Sequence, residues 1–249
     1  MLFLTVPMAD IAFFVETLKR KNIDFNPSVK VLDFGCGNGN RVQKMRDAGI
    51  DAYGCDVKFK SGEHADSLEG AGAIRLLQYS PYQLPFEDQE FDCIISNAVL
   101  EHVHNKDETF AELDRILKPG GVQMHYFPSK YGVIETHIFV PFASIIQHYY
   151  YLYFWAFLGV RKPNQKGMSA EQVVKDNQTY LKQSTCYHSA TEIKQYLLRF
   201  SSSVEFIEKD AFLYHHSRVM RWVARYVFRL PFMPDLFRVF RAVVVLSTK

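Results

Sequence analysis

Apolar positions change period along the chain, and each change marks an element. Ile11, Phe14, Val15 and Leu18 recur at helical spacing, which predicts a lead-in helix over Met8 to Lys21. Val31 and Leu32 run as a short strand into Asp33 and three glycines at alternate positions, Gly35, Gly37 and Gly39. A helical pattern begins at once with Arg41, Val42 and Met45. A second strand is predicted over Asp51 to Val57, ending in Asp56. A short helix follows over Glu63 to Leu68, then a third strand over Ala73 to Gln78. The fourth strand is Cys93 to Ser96. A helix over Asp107 to Leu117 carries Phe110, Leu113 and Ile116 on one face and stops at Lys118-Pro119-Gly120-Gly121; the fifth strand is Val122 to Phe127. Strand–helix alternation with short turns predicts an α/β, doubly wound, mostly parallel sheet. Ligands of such sheets bind beyond the carboxyl ends of the strands, where Asp33, the glycines, Asp56, the Ser80 region and Asn97 all fall.

The alternation then pauses. Ile138 to Val160 contains no Asp, Glu, Lys or Arg and is crowded with aromatics. It is long enough on paper to span a bilayer. Pro141, Gln147 and His148, and its place inside an α/β domain, favour a cap or lid helix; a segment lying in a membrane interface is the alternative. A polar linker runs from Arg161 to Ser169. Ser189 and Glu192 fit a capping box before Ile193, Tyr196, Leu197 and Leu198, and a strand is predicted over Val204 to Ile207. Arg218, Arg221, Arg225 and Arg229 line one helical face beside Val219, Trp222, Val223, Tyr226 and Val227. Ala242 to Leu246 closes the chain as a buried strand. The expected organisation is one domain over 1–249, an aromatic cap inserted at 129–188, and a basic amphipathic helical insertion at 214–240.

The 249 residues suffice for a large core without staples, and a formal net charge of +2 argues against bulk nucleic-acid binding. Cys36, Cys55, Cys93 and Cys186 have neither CxxC nor zinc-ligand spacing, which reads as reduced thiols in a cytoplasmic protein. The first ten residues lack a basic n-region and carry Pro7 and Asp10, unlike a signal peptide.

The glycine turn narrows the ligand. A dinucleotide site places its third glycine three after the second, whereas here position 40 is Asn and the glycines run GxGxG. Asp33, just before the turn, suits an ammonium better than a phosphate. Asp56 lies about 17 residues beyond Gly39, near the roughly 20-residue offset at which such units present a carboxylate to a ribose diol. An ammonium, a ribose and no phosphate describe S-adenosylmethionine.

Four motifs in order carry a family resemblance: VLDFGCGNG (Val31–Gly39), YGCDV (Tyr53–Val57), LPFEDQEFDCIISNAVLEHV (Leu84–Val103) and ELDRILKPGG (Glu112–Gly121). Over roughly 29–128 the chain resembles the class I S-adenosylmethionine-dependent methyltransferases, in the branch holding ubiquinone-pathway and sugar methyltransferases. The resemblance implies a Rossmann-like seven-stranded sheet with its last strand antiparallel, and helical cap insertions. It places Asp33, Gly35, Cys36 and Gly37 at the methionine end of the cofactor, Asp56 at the ribose and Val57 beside the adenine. Ser80 and Pro81 fall at the adenine amino group, where Ser80 departs from the acid common in this branch. Asn97 and Ala98 fall near the sulfonium, and His102 over the transferring methyl.

Methyl transfer needs in-line placement of the acceptor, and a hydroxyl acceptor also needs a base. His102 is the first candidate, as base or as orienting histidine, and His137 the second. No carboxylate cluster suggests a metal. The fourth strand ends Ser-Asn-Ala-Val rather than Asn-Pro-Pro-Tyr, which disfavours nucleobase or glutamine N-methylation. The aromatic cap and the basic helix suggest a small-molecule or lipid-linked acceptor and peripheral membrane contact. O-methylation of a saccharide or lipid-linked glycan is the first expectation, and methylation of a quinone-like or polyketide-like molecule the second. A non-catalytic scaffold with the same fold is the alternative of another class.

Overall fold

The computed structural model describes residues 11–249, so the first ten residues, with the start of the expected lead-in helix, lie outside the described residues. In chain order the elements are α1 (Ile11–Arg20), β1 (Lys30–Phe34), α2 (Asn40–Asp47), β2 (Asp51–Asp56), α3 (Ala65–Gly70), β3 (Ile74–Leu76), β4 (Gln78–Tyr79), β5 (Tyr82–Gln83), β6 (Phe91–Asn97), α4 (Lys106–Ile116) and β7 (Leu117–Pro128). There follow α5 (Tyr149–Phe157), α6 (Ala170–Ser184), α7 (Ala190–Leu197), β8 (Ser203–Phe206), α8 (Glu208–Ala211), α9 (Arg218–Tyr226), α10 (Met233–Phe240) and β9 (Ala242–Thr248).

Seven strands form one sheet in the order β3-β2-β1-β6-β7-β9-β8. Pairing is parallel from β3 across to β7, and β9 runs antiparallel to both β7 and β8. The doubly wound, seven-stranded Rossmann-like sheet with its last strand reversed is therefore present. Its central strands read as continuous apolar runs because both faces are covered. Side chains alternate between two cores: Val31, Cys93, Ile95, Met124 and Val244 join Phe13, Phe14 and Met45 on one face. Leu32, Phe34, Ile94, Val243 and Val245 join Phe110, Leu113, Ile116 and Ile193 on the other.

Some boundaries differ from the sequence expectation. The third strand stops at Leu76, and Gln78 instead starts the small β4–β5 hairpin. The fourth strand is longer, because Phe91 pairs with Leu117 before a register break at Cys93. Within the aromatic stretch only Tyr149–Phe157 is helical; the chain before it turns through Phe139 and Phe142 at positive φ. α5 packs on α6, a helix absent from the sequence reading, and together they enclose Ile138, Val140, Leu152, Val173, Val174 and Leu181. Among the described residues, no helix is long and apolar enough to cross a membrane. Between β8 and β9 the chain forms α8, α9 and α10. Arg221 of α9 is turned onto the carbonyls of His215 and His216, and Arg229 lies beyond the helix end, while Arg218 and Arg225 are exposed.

Candidate active site

The carboxyl ends of β1 and β2 form one end of a cavity of about 600 Å³. Gly35 turns the chain at φ +77°, and a Cβ there would lie 2.2 Å from Val99 Cγ2. Gly37, at φ +61°, borders the cavity, and its N–H donates to Asp56 Oδ2 at 2.8 Å. The other Asp56 oxygen accepts the Val57 N–H at 2.7 Å. Asp56 is thus fixed by the loop it faces. Burial pushes the thiols of Cys36 and Cys55, beneath the loop, well above the usual cysteine range. All four cysteines are free thiols.

Asp33 is fully buried behind the loop and does not line the cavity. Its Oδ1 accepts from Arg41 Nη1, and its Oδ2 has no hydrogen-bond partner among the described residues. Burial raises its pKa, against the opposing pull of the Arg41 guanidinium. Arg41, the second residue of α2, itself borders the cavity.

The far end is built from β6, the turn after it and the cap. Asn97 ends β6, and Ala98 adopts φ +55° with its N–H held by the Tyr126 carbonyl at 2.8 Å. A 3-10 turn over Leu100–His102 follows. His102 and His137 face each other with ring centroids 4.9 Å apart at 72°, and Tyr180 from α6 stands 5.4 Å from His137. His102 Nδ1–H donates to the Ser184 carbonyl at 2.5 Å, which leaves Nε2 with the lone pair. Burial lowers the pKa of His102.

His137 is oriented differently. Its Nδ1–H donates to Glu135 Oε1 at 2.7 Å, and the Tyr187 hydroxyl donates to the same oxygen. Glu135 Oε2 accepts the N–H groups of His137 and Ile138. Burial opposes charge on both partners, yet the hydrogen bond and ion pair prevail: Glu135 is held below the usual carboxylate range and His137 above the usual imidazole range. Beside them Glu101 is 2% exposed, and neither of its oxygens has a hydrogen-bond partner among the described residues. Burial pushes its carboxyl up to about 7.

One cavity therefore brings together Gly35, Cys36, Gly37, Asp56, Val57, Asn97, Ala98, His102 and His137. It does not include Ser80 and Pro81, which sit in the exposed turn of the β4–β5 hairpin; Tyr79 and Tyr82 on either side of them line the wall. The sequence reading missed Arg41, Lys60, Tyr180, Glu101 and Glu135. Tyr180 carried a readable signal, because Ser169 and Gln172 form the capping box of its helix. Glu101 and Glu135 each stand next to or near a candidate histidine, but only the fold buries them.

The family model described as "Methyltransferase domain" matches residues 32–124. The demethylmenaquinone methyltransferase of Lactobacillus johnsonii is 30% identical over 192 residues, which span 74% of this chain and 70% of that protein. The sterol 24-C-methyltransferase ERG6B of Gibberella zeae is 27% identical over 106 residues, 41% of this chain. The chain matches less than a third of that sterol enzyme's length, 28%. Among solved structures, the YcgJ protein of Bacillus subtilis shares the fold with a TM-score of 0.51 at 15% identity, over 96% of this chain and 97% of that one. An S-adenosylmethionine-dependent methyltransferase from Archaeoglobus fulgidus does so at 0.51 and 14%, over 96% and 94%. The chain belongs to the class I S-adenosylmethionine-dependent methyltransferases. Its cofactor is S-adenosylmethionine, and the site suits that molecule: Gly35, Cys36 and Gly37 border the cavity beside the Asp56 carboxylate, which faces the same space.

Proposed function

We propose that this protein methylates an apolar, hydroxyl- or enol-bearing acceptor of quinone-like type, and that His102 takes the acceptor's proton. The observation that carries this reading is the single cavity joining the glycine loop and Asp56 at one end to His102 and His137 at the other. S-adenosylmethionine supplies an already activated methyl group on a sulfonium. The protein's task is then to align the acceptor and to handle one proton.

At the cofactor end, Gly35, Cys36 and Gly37 hold the methionine portion, with Asp33 behind them for the ammonium. Asp56 has lone pairs left over for ribose hydroxyls after accepting the N–H groups of Gly37 and Val57. Val57, with Leu77, Tyr79 and Tyr82, forms the wall for the adenine. Asn97 and Ala98 border the sulfonium. At the acceptor end, the Ser184 carbonyl fixes the tautomer of His102 so that Nε2 accepts a proton, worth roughly 10²–10⁴-fold in rate for such a base. His137 and Tyr180 close the opposite wall.

The quinone-like acceptor is favoured over a saccharide by the L. johnsonii relative, whose match spans 74% of this chain, and by the apolar surfaces around the cap. The lipid-linked glycan is retained as the alternative outcome of the test. Calorimetry with S-adenosylmethionine comes first: absence of binding at high micromolar cofactor favours the scaffold reading. Radiolabelled methyl transfer then compares a demethylated naphthoquinol with a lipid-linked saccharide. His102→Ala is expected to lower turnover on the accepted substrate by at least a hundredfold while leaving cofactor affinity within about threefold. Unchanged turnover in His102→Ala removes the base assignment.

A further inference from the structure

Beside the cofactor cavity the fold assembles three residues that the methyl-transfer reading does not fully use. One ligand-capable atom from each of Glu101, His102 and His137 lies within 4.8 Å of the other two. Glu101 comes from the turn after β6, as does His102, and His137 from the loop after β7. The Glu101 carboxylate is 2% exposed with both oxygens unpartnered among the described residues. A buried carboxylate without donors is costly, and the usual remedies are a proton or a cation. Both histidines already carry the Nδ1 hydrogen bond that fixes the tautomer of a ligating histidine. Each gives its Nδ1–H to an oxygen, His102 to the Ser184 carbonyl and His137 to Glu135, so Nε2 is the nitrogen left to bind. A carboxylate behind a ligating histidine is the usual means of fixing its tautomer and raising its basicity.

We infer that Glu101, His102 and His137 form a binding site for one divalent transition-metal ion of the zinc type. Two imidazoles and one carboxylate suit zinc, and suit magnesium or calcium poorly, since those prefer all-oxygen shells. Ligand atoms about 2.0–2.2 Å from a tetrahedral ion stand about 3.4 Å apart, and one ligand-capable atom of each residue already lies within 4.8 Å of the others. His102 and His137 line the cavity, which places the remaining coordination position on its acceptor side. An oxygen of the acceptor bound there loses its proton more readily. Metal binding thus supplies a second route to the same deprotonation, in which His102 Nε2 serves as ligand instead of base and the acceptor's proton passes to solvent. The site itself does not depend on the methyl-transfer reading.

The test uses full-length protein stripped with a chelator and titrated with Zn²⁺ by calorimetry, without methyl donor or acceptor. One high-affinity site per chain is expected. Glu101→Gln and His137→Ala are each expected to weaken it by at least a hundredfold. Glu135→Gln, which acts through His137 as a positioning residue, is expected to weaken it ten- to hundredfold. Co²⁺ gives the readout that a merely structural role would not move: a visible absorption band that changes in Glu101→Gln. Cofactor binding by each variant serves as the folding control. His216→Ala, at an exposed histidine outside the cluster, is expected to leave Zn²⁺ binding unchanged. Absence of a stoichiometric site in the wild type, or equal affinity in wild type and Glu101→Gln, overturns the assignment. Either result leaves the methyl-transfer proposal standing.

Discussion

Gly37 and Asp56 act as one device, because the loop amide and the strand-end carboxylate fix each other at 2.8 Å. Replacing Asp56 by Ala removes the two oxygens proposed to hold the ribose and leaves the Gly37 N–H unpaired. Hydrogen bonds to a charged group contribute about 1.5–3 kcal/mol each, so loss of two predicts an affinity drop of roughly a hundredfold or more for S-adenosylmethionine. Calorimetry measures it, and Asp56→Ala binding within threefold of wild type would remove the ribose assignment. At this scale the sequence was informative where a residue type has few uses. An acid before a glycine turn and an acid closing the next strand are such cases. It was uninformative where a side chain's partner arrives from elsewhere. Asp33 reads as a free acceptor for an ammonium, but the fold brings Arg41 back onto one of its oxygens from the first turn of α2. Glu101 reads as one polar residue in a Leu-Glu-His run, and burial without partners is a property of the assembled fold alone.

Elements whose apolar period was complete in the local sequence were legible, and elements held by distant contacts were not. α4 shows the first case, with Phe110, Leu113 and Ile116 all fully buried on one face. α6 shows the second: its capping box was present, but its apolar face packs on α5 and on Ile138, Val140 and Ala143, all within the same irregular cap. The helices between β8 and β9 depend on one more long-range contact. Arg238 of α10 grips Glu208 of α8 through two hydrogen bonds of 2.8 Å and lies 3.9 Å from the Phe206 ring. Glu208 also accepts the Val244 N–H of β9 at 3.2 Å, so the pair ties α10 to the sheet. Glu208 is 1% exposed, and removing Arg238 strands its charge. Arg238→Ala is expected to destabilise the fold by about 3–5 kcal/mol, read by urea unfolding, whereas the double variant Arg238→Met/Glu208→Leu should recover most of it. A single-variant loss below about 1 kcal/mol would show that the pair does not hold these helices.

The whole molecule carries a formal net charge of only +2, yet its arginines and exposed apolar side chains are unevenly placed. Arg218, Arg225 and Arg229 are exposed along α9 and the turn after it, beside Trp222 at 57% and Phe232 at 60% exposure. The loop leaving β7 is pinned to the end of α10 by Ser129 Oγ–H on the Val239 carbonyl and the Val133 N–H on the Phe240 carbonyl. That pinning sets exposed Tyr131 and Val133 against exposed Val239 and Phe240. α5 is nine residues long, about 14 Å at 1.5 Å per residue, less than half of the roughly 30 Å hydrocarbon core, so its exposed Tyr150, Phe154 and Phe157 are placed for surface contact and not for crossing. Basic residues near an anionic surface gain about 1 kcal/mol each, and aromatic rings settle at the interface. These features predict that the protein co-sediments with anionic vesicles at low salt, sediments weakly with neutral ones, and is released as salt rises. Arg218→Glu/Arg225→Glu should abolish the preference for anionic vesicles, and Trp222→Ser/Phe232→Ser should weaken binding to both kinds. Cofactor affinity should be unchanged in every variant, because none of these residues borders the cavity. Equal recovery in the supernatant with anionic and neutral vesicles at low salt would sink the membrane contact. The acceptor would then have to reach His102 from solution, and a short-chain water-soluble quinol would be methylated as fast as a long-chain one in bilayers.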